Sequence, residues 1–453
     1  MDEMKEKSPY EFMFYLTLSD FNCLRYANSM GTQNTSIKSL SLTLIMSDQA
    51  KDADSQQTTD NTPDGAKIIY LSSSELNPME LLEQGIKAIP DASVNDEFKG
   101  FCPPDVTHKE VKTWYEDTAA ATSKTKAMAL ESLRKEHTDK WLGGIWETEE
   151  ITHLMAGSNG LLLRDQFTRY TFELKAEQNG KSASVYRIGR DLGSFDIHKE
   201  CDKALKNLER KTPKQIPKDG KYRVVFGPEA VSEICFFISL LGFGGRGDKQ
   251  GSNFTSGKIG EKLFENDLIH LSDNCYNPLT LTCKHDNFGY PRKPLTLLNK
   301  GKICEIAHTQ FTAKTLEENT GHGGSGAAML MELKEGSSTI DELYTEKEKT
   351  VLISRFHYPT IADRSKPEIK GSTKDGTYLY ISDRNTTEPT IKDAGTLEFF
   401  FNPVRLLENT TALSKDRFVV PQGSLSMSMV GANIVPYIAV DDVTIKDGKL
   451  YLL

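Results

Sequence analysis

Residues 228–248 read PEAVSEICFFISLLGFGGRGD, and this stretch constrains the fold more than any other. Pro228 and Glu229 signal a helix start, and Gly242 and Gly244 signal its end. The centre, ICFFISLL, is apolar around the whole helical circumference, so the helix is predicted to be buried rather than amphipathic. A helix with no polar face must be enclosed by other elements. Those that follow are short strands and turns: LIHLSDN, PLTLTC, KPLTLLNKGKICEIA, KTVLISRF, GTYLYISD, GTLEFFFN and YIAVDDVTI, interrupted by a Ser- or Thr-capped helix in STIDELYTEK. Strands following strands, with isolated helices, predict an α+β protein with largely antiparallel sheets and one buried helix in a β-rich C-terminal domain.

The first half reads differently. Two strands, YEFMFYLTL and SIKSLSLTLIM, flank the polar segment LRYANSMGTQN. Residues 48–66 have almost no apolar content and predict a mobile loop. A strand, KIIYLSS, leads to a helix in NPMELLEQGIKAI with Ser74 or Asn77 as its cap. The Ala-, Lys- and Glu-rich stretch 108–141 predicts one long helix. Strands in 151–193 and the helix KECDKALKNLERK complete this half. KTPKQIPKDGK, at 211–221, predicts a boundary between a domain of residues 1–215 and one of 216–453. A chain of 453 residues exceeds one ordinary core.

Composition excludes several classes. With 55 basic and 64 acidic residues the net charge is −9, which argues against direct binding to nucleic acid. No run suits a membrane-spanning helix, and the polar start MDEMKEKSPYEF lacks an apolar signal core. Seven scattered cysteines suit reduced thiols, so a cytoplasmic protein is expected. His270, Cys275, Cys283 and His285 cluster, but with spacings of no common zinc site.

Cys304–His308, CEIAH, lies one residue from the HExxH signature of zinc peptidases. That signature requires a helix, which places positions four apart on one face. Here a turn at Asn299–Gly301 precedes it and a strand is predicted, which would separate residues 304 and 308 by about 13 Å at ~3.3 Å per residue. Gly244–Asp248 follows a helix rather than opening one, so it reads as a chain reversal and not a phosphate loop. In Thr320-Gly321-His322-Gly323-Gly324, glycine backbone can approach a ligand and His322 can ligate or carry protons. The competing reading is a flexible turn with an exposed histidine.

Several segments together resemble the TldD/PmbA family, the modulators of DNA gyrase. They are RYANSMGTQN, DGKYRVVFGPEAVSEI, SGKIGEKLF, NFGYPRKPLTLLNKGKI, HTQFTAKTLEENTGHGG and IKGSTKDGTYLYISD. The resemblance implies a two-domain fold and kinship to metallopeptidases built from a catalytic TldD-type subunit and a metal-free PmbA (TldE) type subunit. In the catalytic kind the buried helix carries HExxxH and a late cysteine completes the site. Here Ile238 and Ser239 stand where His and Glu would be, and Phe243 replaces the second His. VPQGSLSMSMVGANIVPY, the late region, holds no cysteine. Ile and Phe carry no lone pairs, and Ser is a poor zinc ligand and base. The resemblance therefore implies a PmbA-like chain with no catalytic residue, metal or cofactor of its own, zinc being expected in a TldD-like partner. An active peptidase with atypical ligands such as His322 or His357, and a stand-alone peptide-binding homodimer, are the alternatives. The implied substrate is unfolded peptide. Arg25, Gln33, Asn34, Gly244, Asp248, Thr320, Gly321, His322 and Gly323 match the family's motifs and are the candidate peptide contacts. In the family's D-x-E-G stretch this chain has Asp286-Asn287-Phe288-Gly289, without the second acid.

Overall fold

The structure is a computed structural model, and it describes all residues except 29, 49–64, 180, 210–213, 282, 324–325, 364–365, 383–388, 423–430 and 453. Residues 49–64 of the expected mobile loop, 211–213 of the expected boundary and 423–430 of the late cysteine-free region lie outside the described residues.

Two sheets organise the chain. The first contains β1 (Glu11–Ala27), β2 (Met30–Ser47), β3 (Ala66–Ser73), β4 (Val94–Asn95), β5 (Trp141–Gly157), β6 (Leu162–Gln178) and β7 (Lys181–Gly189), in the order β4-β3-β2-β1-β5-β6-β7. Every pairing in it is antiparallel. A short helix α1 (Asp2–Lys7) precedes it, and α2 (Pro78–Ala88), α3 (Glu116–Ala119), α4 (Ser123–Glu136) and α5 (Ile197–Glu209) accompany it. Alternation sorts its side chains. Phe12, Phe14, Leu42 and Leu44 pack under α2, and Leu24, Tyr26, Trp146 and Phe172 pack under α4 and α5. Met13, Ile45 and Met155, of opposite parity, meet Phe98, Phe101, Phe288 and Tyr290.

The second sheet holds β8 (Gly220–Phe226), β9 (His270–Asp273), β10 (Leu295–Asn299), β11 (Lys302–Ile303), β12 (Met331–Leu333), β13 (Lys349–Asp363), β14 (Glu368–Ile381), β15 (Thr390–Asp393), β16 (Glu398–Phe401), β17 (Thr410–Pro421), β18 (Ala432–Lys446) and β19 (Lys449–Leu452). Its helices are α6 (Pro228–Gly242), α7 (Gly245–Lys249), α8 (Ile340–Thr345) and α9 (Pro403–Glu408). β8 pairs with both β13 and β18, so β8-β13-β14-β16-β19-β18 closes into a ring. Val224, Phe226, Val351, Ile353, Ile438 and Val440 face one core that also takes Ile234, Cys235, Phe237 and Ile238 of α6. Val225, Leu352 and Ala439 face outward against α8. Mixed α+β architecture with a β-rich C-terminal half and a buried α6 is thus present.

Local expectations held where the signal was local. Asn77 accepts the Glu80 N–H at the start of α2, and Thr339 and Glu342 form a reciprocal cap on α8. Four expectations are corrected. The stretch 108–141 is not one helix: a Thr122 cap starts α4, and residues before α3 run extended, with Thr113 Oγ1 donating to the Gln166 carbonyl at 2.7 Å. LRYANSMGTQN does not interrupt the strands; β1 and β2 pair along it to a turn at Asn28, whose φ is +51°. Among its described residues PLTLTC is not a strand, because Thr280 donates to Asn274 and Asn277 carbonyls and its own carbonyl receives the buried Arg190 guanidinium. In GKICEIA only Lys302–Ile303 joins a ladder, and Ala307 makes an isolated bridge to Gly244.

Candidate functional site: the loops around the buried helix

α6 is enclosed along nearly its whole length, with Ile238 and Ser239 essentially inaccessible and Phe243, just past its end, fully buried. Ser239 Oγ donates to the Ala328 carbonyl, and Phe243 lies edge-on to Phe254 with ring centroids 6.0 Å apart. The hydroxyl is thereby committed to a backbone acceptor, and the two apolar side chains fill core volume.

The chain then turns into α7. Gly244 bridges to Ala307, Gly245 N–H donates to the Ala307 carbonyl at 2.8 Å, and Ala307 N–H donates to the Phe243 carbonyl at 3.0 Å. A Cβ on Gly244 would lie 3.0 Å from the Gly326 carbonyl, so the loops pack at backbone distance. Asp248 Oδ1 is buried without a hydrogen-bond partner among the described residues.

His308, the last residue of CEIAH, anchors the next loop. Its N–H donates to Thr320 Oγ1 at 2.7 Å, and Thr320 Oγ1 donates back to the His308 carbonyl at 2.9 Å. Gly321 has φ of +68° and its missing Cβ would overlap the Pro291 carbonyl, so glycine is required there. Gly323 N–H donates to Asp286 Oδ2 at 3.1 Å. The loop is therefore not a flexible turn with an exposed histidine: His322 is fully buried. CEIAH is not helical, and Glu305 accepts the Thr296 N–H at 2.6 Å.

His322 sits on two residues that motif reading did not single out. Its Nδ1 lies 2.9 Å from the Thr320 carbonyl, which can only accept, so Nδ1 carries the hydrogen. Its Nε2 faces Asp273 Oδ2 at 3.5 Å, too long for a good hydrogen bond. Asp273, fully buried, accepts Met329 and Leu330 N–H groups at 2.7 and 3.0 Å and faces Arg292 at 3.5 Å. Burial alone would raise the Asp273 carboxyl, but Arg292 and the backbone donors outweigh it and hold the group at about 2. Burial and Arg292 push the His322 imidazole down, so it is neutral at pH 7. Asp286 behaves oppositely: burial raises it to about 6 although Phe288, Tyr290 and Gly323 donate to it. The Asp in the sequence's strand before NFGYPRKP and the Arg within that motif were the available signals for this pair.

The structure thus joins Gly244, Asp248, Ala307–His308, Thr320–Gly323 and Asp286 into one layer beside α6. It does not bring Arg25, Gln33 and Asn34 into that layer. Arg25 and Gln33 are cross-strand partners in the first sheet, and Asn34 meets Ser123 of α4. Neither do His270, Cys275, Cys283 and His285 converge. Cys275 meets the Arg292 carbonyl, Cys283 lies 3.5 Å from His153, and His285 meets the Asp286 carbonyl. Among the described residues no group of three His, Cys, Asp or Glu side chains could hold a metal ion. The zinc of the family's catalytic kind does not fit Ile238, Ser239 and Phe243, because none offers a free donor. His357 lies on β13 beside the Tyr358 ring, away from this layer in sequence and element.

Comparison with known proteins places this arrangement. The profile of the PmbA/TldA metallopeptidase C-terminal domain matches residues 219–447. The chain belongs to the PmbA/TldD family. TldE from Thermococcus kodakarensis superposes with a TM-score of 0.78 at 17% identity, over 98% of both chains. A candidate modulator of a DNA gyrase from Thermotoga maritima gives 0.78 at 17%, over 97% of this chain and 98% of that one. A candidate modulator of DNA gyrase from Bacteroides thetaiotaomicron gives 0.73 at 17%, over 98% and 96%. An uncharacterized protein of Methanocaldococcus jannaschii is 20% identical over 185 residues, 40% of this chain and 44% of its own length. The chain thus matches under half the length of that curated relative. No described helix is long and apolar enough to cross a membrane.

Proposed function

We propose that this PmbA/TldD-family chain is a non-catalytic, PmbA/TldE-like subunit that assembles with a TldD-type catalytic chain in the cytoplasm. The pair hydrolyses unfolded peptides, and zinc resides in the catalytic chain. One observation carries the reading: Ile238 and Phe243 are packed as core residues, and Ser239 is bonded to the Ala328 carbonyl. A water-activating zinc needs neutral imidazoles or carboxylates and a general base, and these positions supply neither. The substrate role rests on β-addition, in which an extended peptide pairs with a sheet edge through backbone bonds and little sequence preference. Arg25, Gln33 and Asn34 belong to the first sheet's contribution, and Gly244, Asp248 and Thr320–Gly323 shape the loops beside α6.

The test is metal analysis and peptidase assay of the chain alone and after mixing with a TldD-type chain. Expected is no stoichiometric zinc and no cleavage alone, and a complex that cleaves unfolded peptide on mixing. Stoichiometric zinc together with cleavage by the purified chain overturns the reading in favour of an active peptidase with atypical ligands.

A further inference from the structure

The two halves of the chain meet along a seam that does not close everywhere. β7 of the first sheet lies against β14 and β17 of the second, and α5 backs β7. Where α6 begins, the contact opens into a cleft of about 300 Å³. Small-molecule sites run from about 300 to 1,000 Å³, so the cleft has room for a compact ligand. Glu229, at the cleft, and Ser239 are separated by roughly 15 Å along α6 at ~1.5 Å per residue. The cleft is therefore separate from the loop layer at the far end of that helix.

Its charge runs against that of the chain. Arg187 of β7, Lys203 and Lys206 of α5 and Arg355 of β13 line it, against one lining carboxylate, Glu229. Glu200 of α5 stands 2.7 Å from both Arg187 Nε and Lys203 Nζ. Four cations and two carboxylates leave a local charge of 4 − 2 = +2, on a chain whose net charge is −9. Glu229 reaches Arg187 only at 4.0 Å, and burial raises its carboxyl although Arg187, its own N–H and Arg355 favour the charged form. Like charges gathered between packed layers repel one another, and a bound anion offsets that cost. The start of α6 adds to the positive potential without making it alone.

The walls are apolar. Phe418 of β17 and Tyr437 of β18 stand edge-on with ring centroids 5.5 Å apart, and Tyr186 and Val420 line the same space. Phe418, Tyr437 and Tyr186 are only half-buried, so each keeps surface for a further contact. Walls of low dielectric focus the field of the cations on whatever enters.

We propose that this seam cleft binds a small organic anion, a carboxylate or phosphate group carried on an aromatic ring or short apolar chain. The anionic group meets the arginines and lysines, and the apolar body lies on Phe418, Tyr437 and Tyr186. An inorganic ion would leave the aromatic wall unused, and a neutral molecule would leave the excess charge. β7 and α5 belong to the first half of the chain and α6, β13, β17 and β18 to the second, so the ligand ties the halves together and stabilises the fold. The site is independent of the peptidase-subunit reading.

The experiment titrates the full chain in a calorimeter with phenylpropionate, phenyl phosphate, inorganic phosphate and the neutral phenylpropanol. Expected is saturable binding of one aryl anion per chain, at least tenfold tighter than inorganic phosphate or phenylpropanol, weakened by salt and accompanied by a raised thermal midpoint. Whichever of the two aryl anions binds better identifies the group as phosphate or carboxylate. Lys206→Glu, at an exposed position of α5, is expected to weaken that binding at least tenfold with unchanged circular dichroism, and Glu229→Gln to tighten it severalfold. No saturable binding of either aryl anion, equal binding of phenylpropanol or inorganic phosphate, or an affinity that Lys206→Glu leaves unchanged overturns the proposal.

Discussion

The two sheets solve the same problem in opposite ways. Six strands of the second close into a ring through β8 and enclose an apolar helix, so the ladder groups of that ring pair within the chain. The first stays open along Gln33–Ser41, which pairs on one side only among the described residues and whose side chains are mostly exposed. A closed core converts each polar position into a stability determinant, because a buried group without a partner pays its full desolvation. An open strip leaves side chains nearly neutral for folding. Ile238 and Phe243, both buried, are what a closed core stabilises.

Substitutions can break or sharpen that contrast. The largest effect is expected for Asp273→Ala, which strands Arg292 and two buried N–H groups. Equilibrium urea unfolding should show a loss of about 3–5 kcal/mol, the usual cost of removing one partner of a buried pair. A loss below ~1 kcal/mol would show that the loop layer is wetter than its burial implies.

Next comes a pH dependence with a determined sign. Asp286 is raised to about 6 when folded, against ~3.9 unfolded, so its favourable contribution is complete below ~3.9 and is lost as pH rises through about 6. Comparing wild type with Asp286→Asn, the stability difference should change by about 2 kcal/mol between pH 4 and 6.5 and be nearly flat above. A difference that does not change across that window would show an ionised, hydrated carboxylate. Asp273 has the opposite sign: its folded carboxyl is depressed, so its contribution is present above ~3.9 and fades only as pH falls toward about 2.

The smallest effect on folding is expected for Ile37→Lys in the open strip, within ~0.5 kcal/mol by the same unfolding measurement, as for exposed positions generally. A clear destabilisation would mean that the strip is covered within one chain.

How much was legible follows from the range of the interactions. The α2 and α8 caps and the burial of α6 depend on residues a few positions apart, and the sequence shows them directly. Residues 108–115 carry a helical composition, yet Thr113 and Tyr115 are held extended by Gln166 and Thr168, about fifty positions away. Propensity loses to such tertiary bonds. At the site, the burial of Ile238 was legible from the apolar run around it. The burial of His322 was not, because it depends on Asp273 and Arg292 arriving from other elements.

The sequence by itself determined the α+β class and the enclosed helix, since each is a matter of local pattern and side-chain chemistry. Only the tertiary structure decided that six strands of the second sheet close into a ring and that Gln33–Ser41 of β2 pairs on one side only among the described residues. It also decided that a glycine-rich loop is packed around a neutral histidine. Those outcomes depend on which distant strands pair, and backbone hydrogen bonds carry no trace of their partner in either strand's own residues.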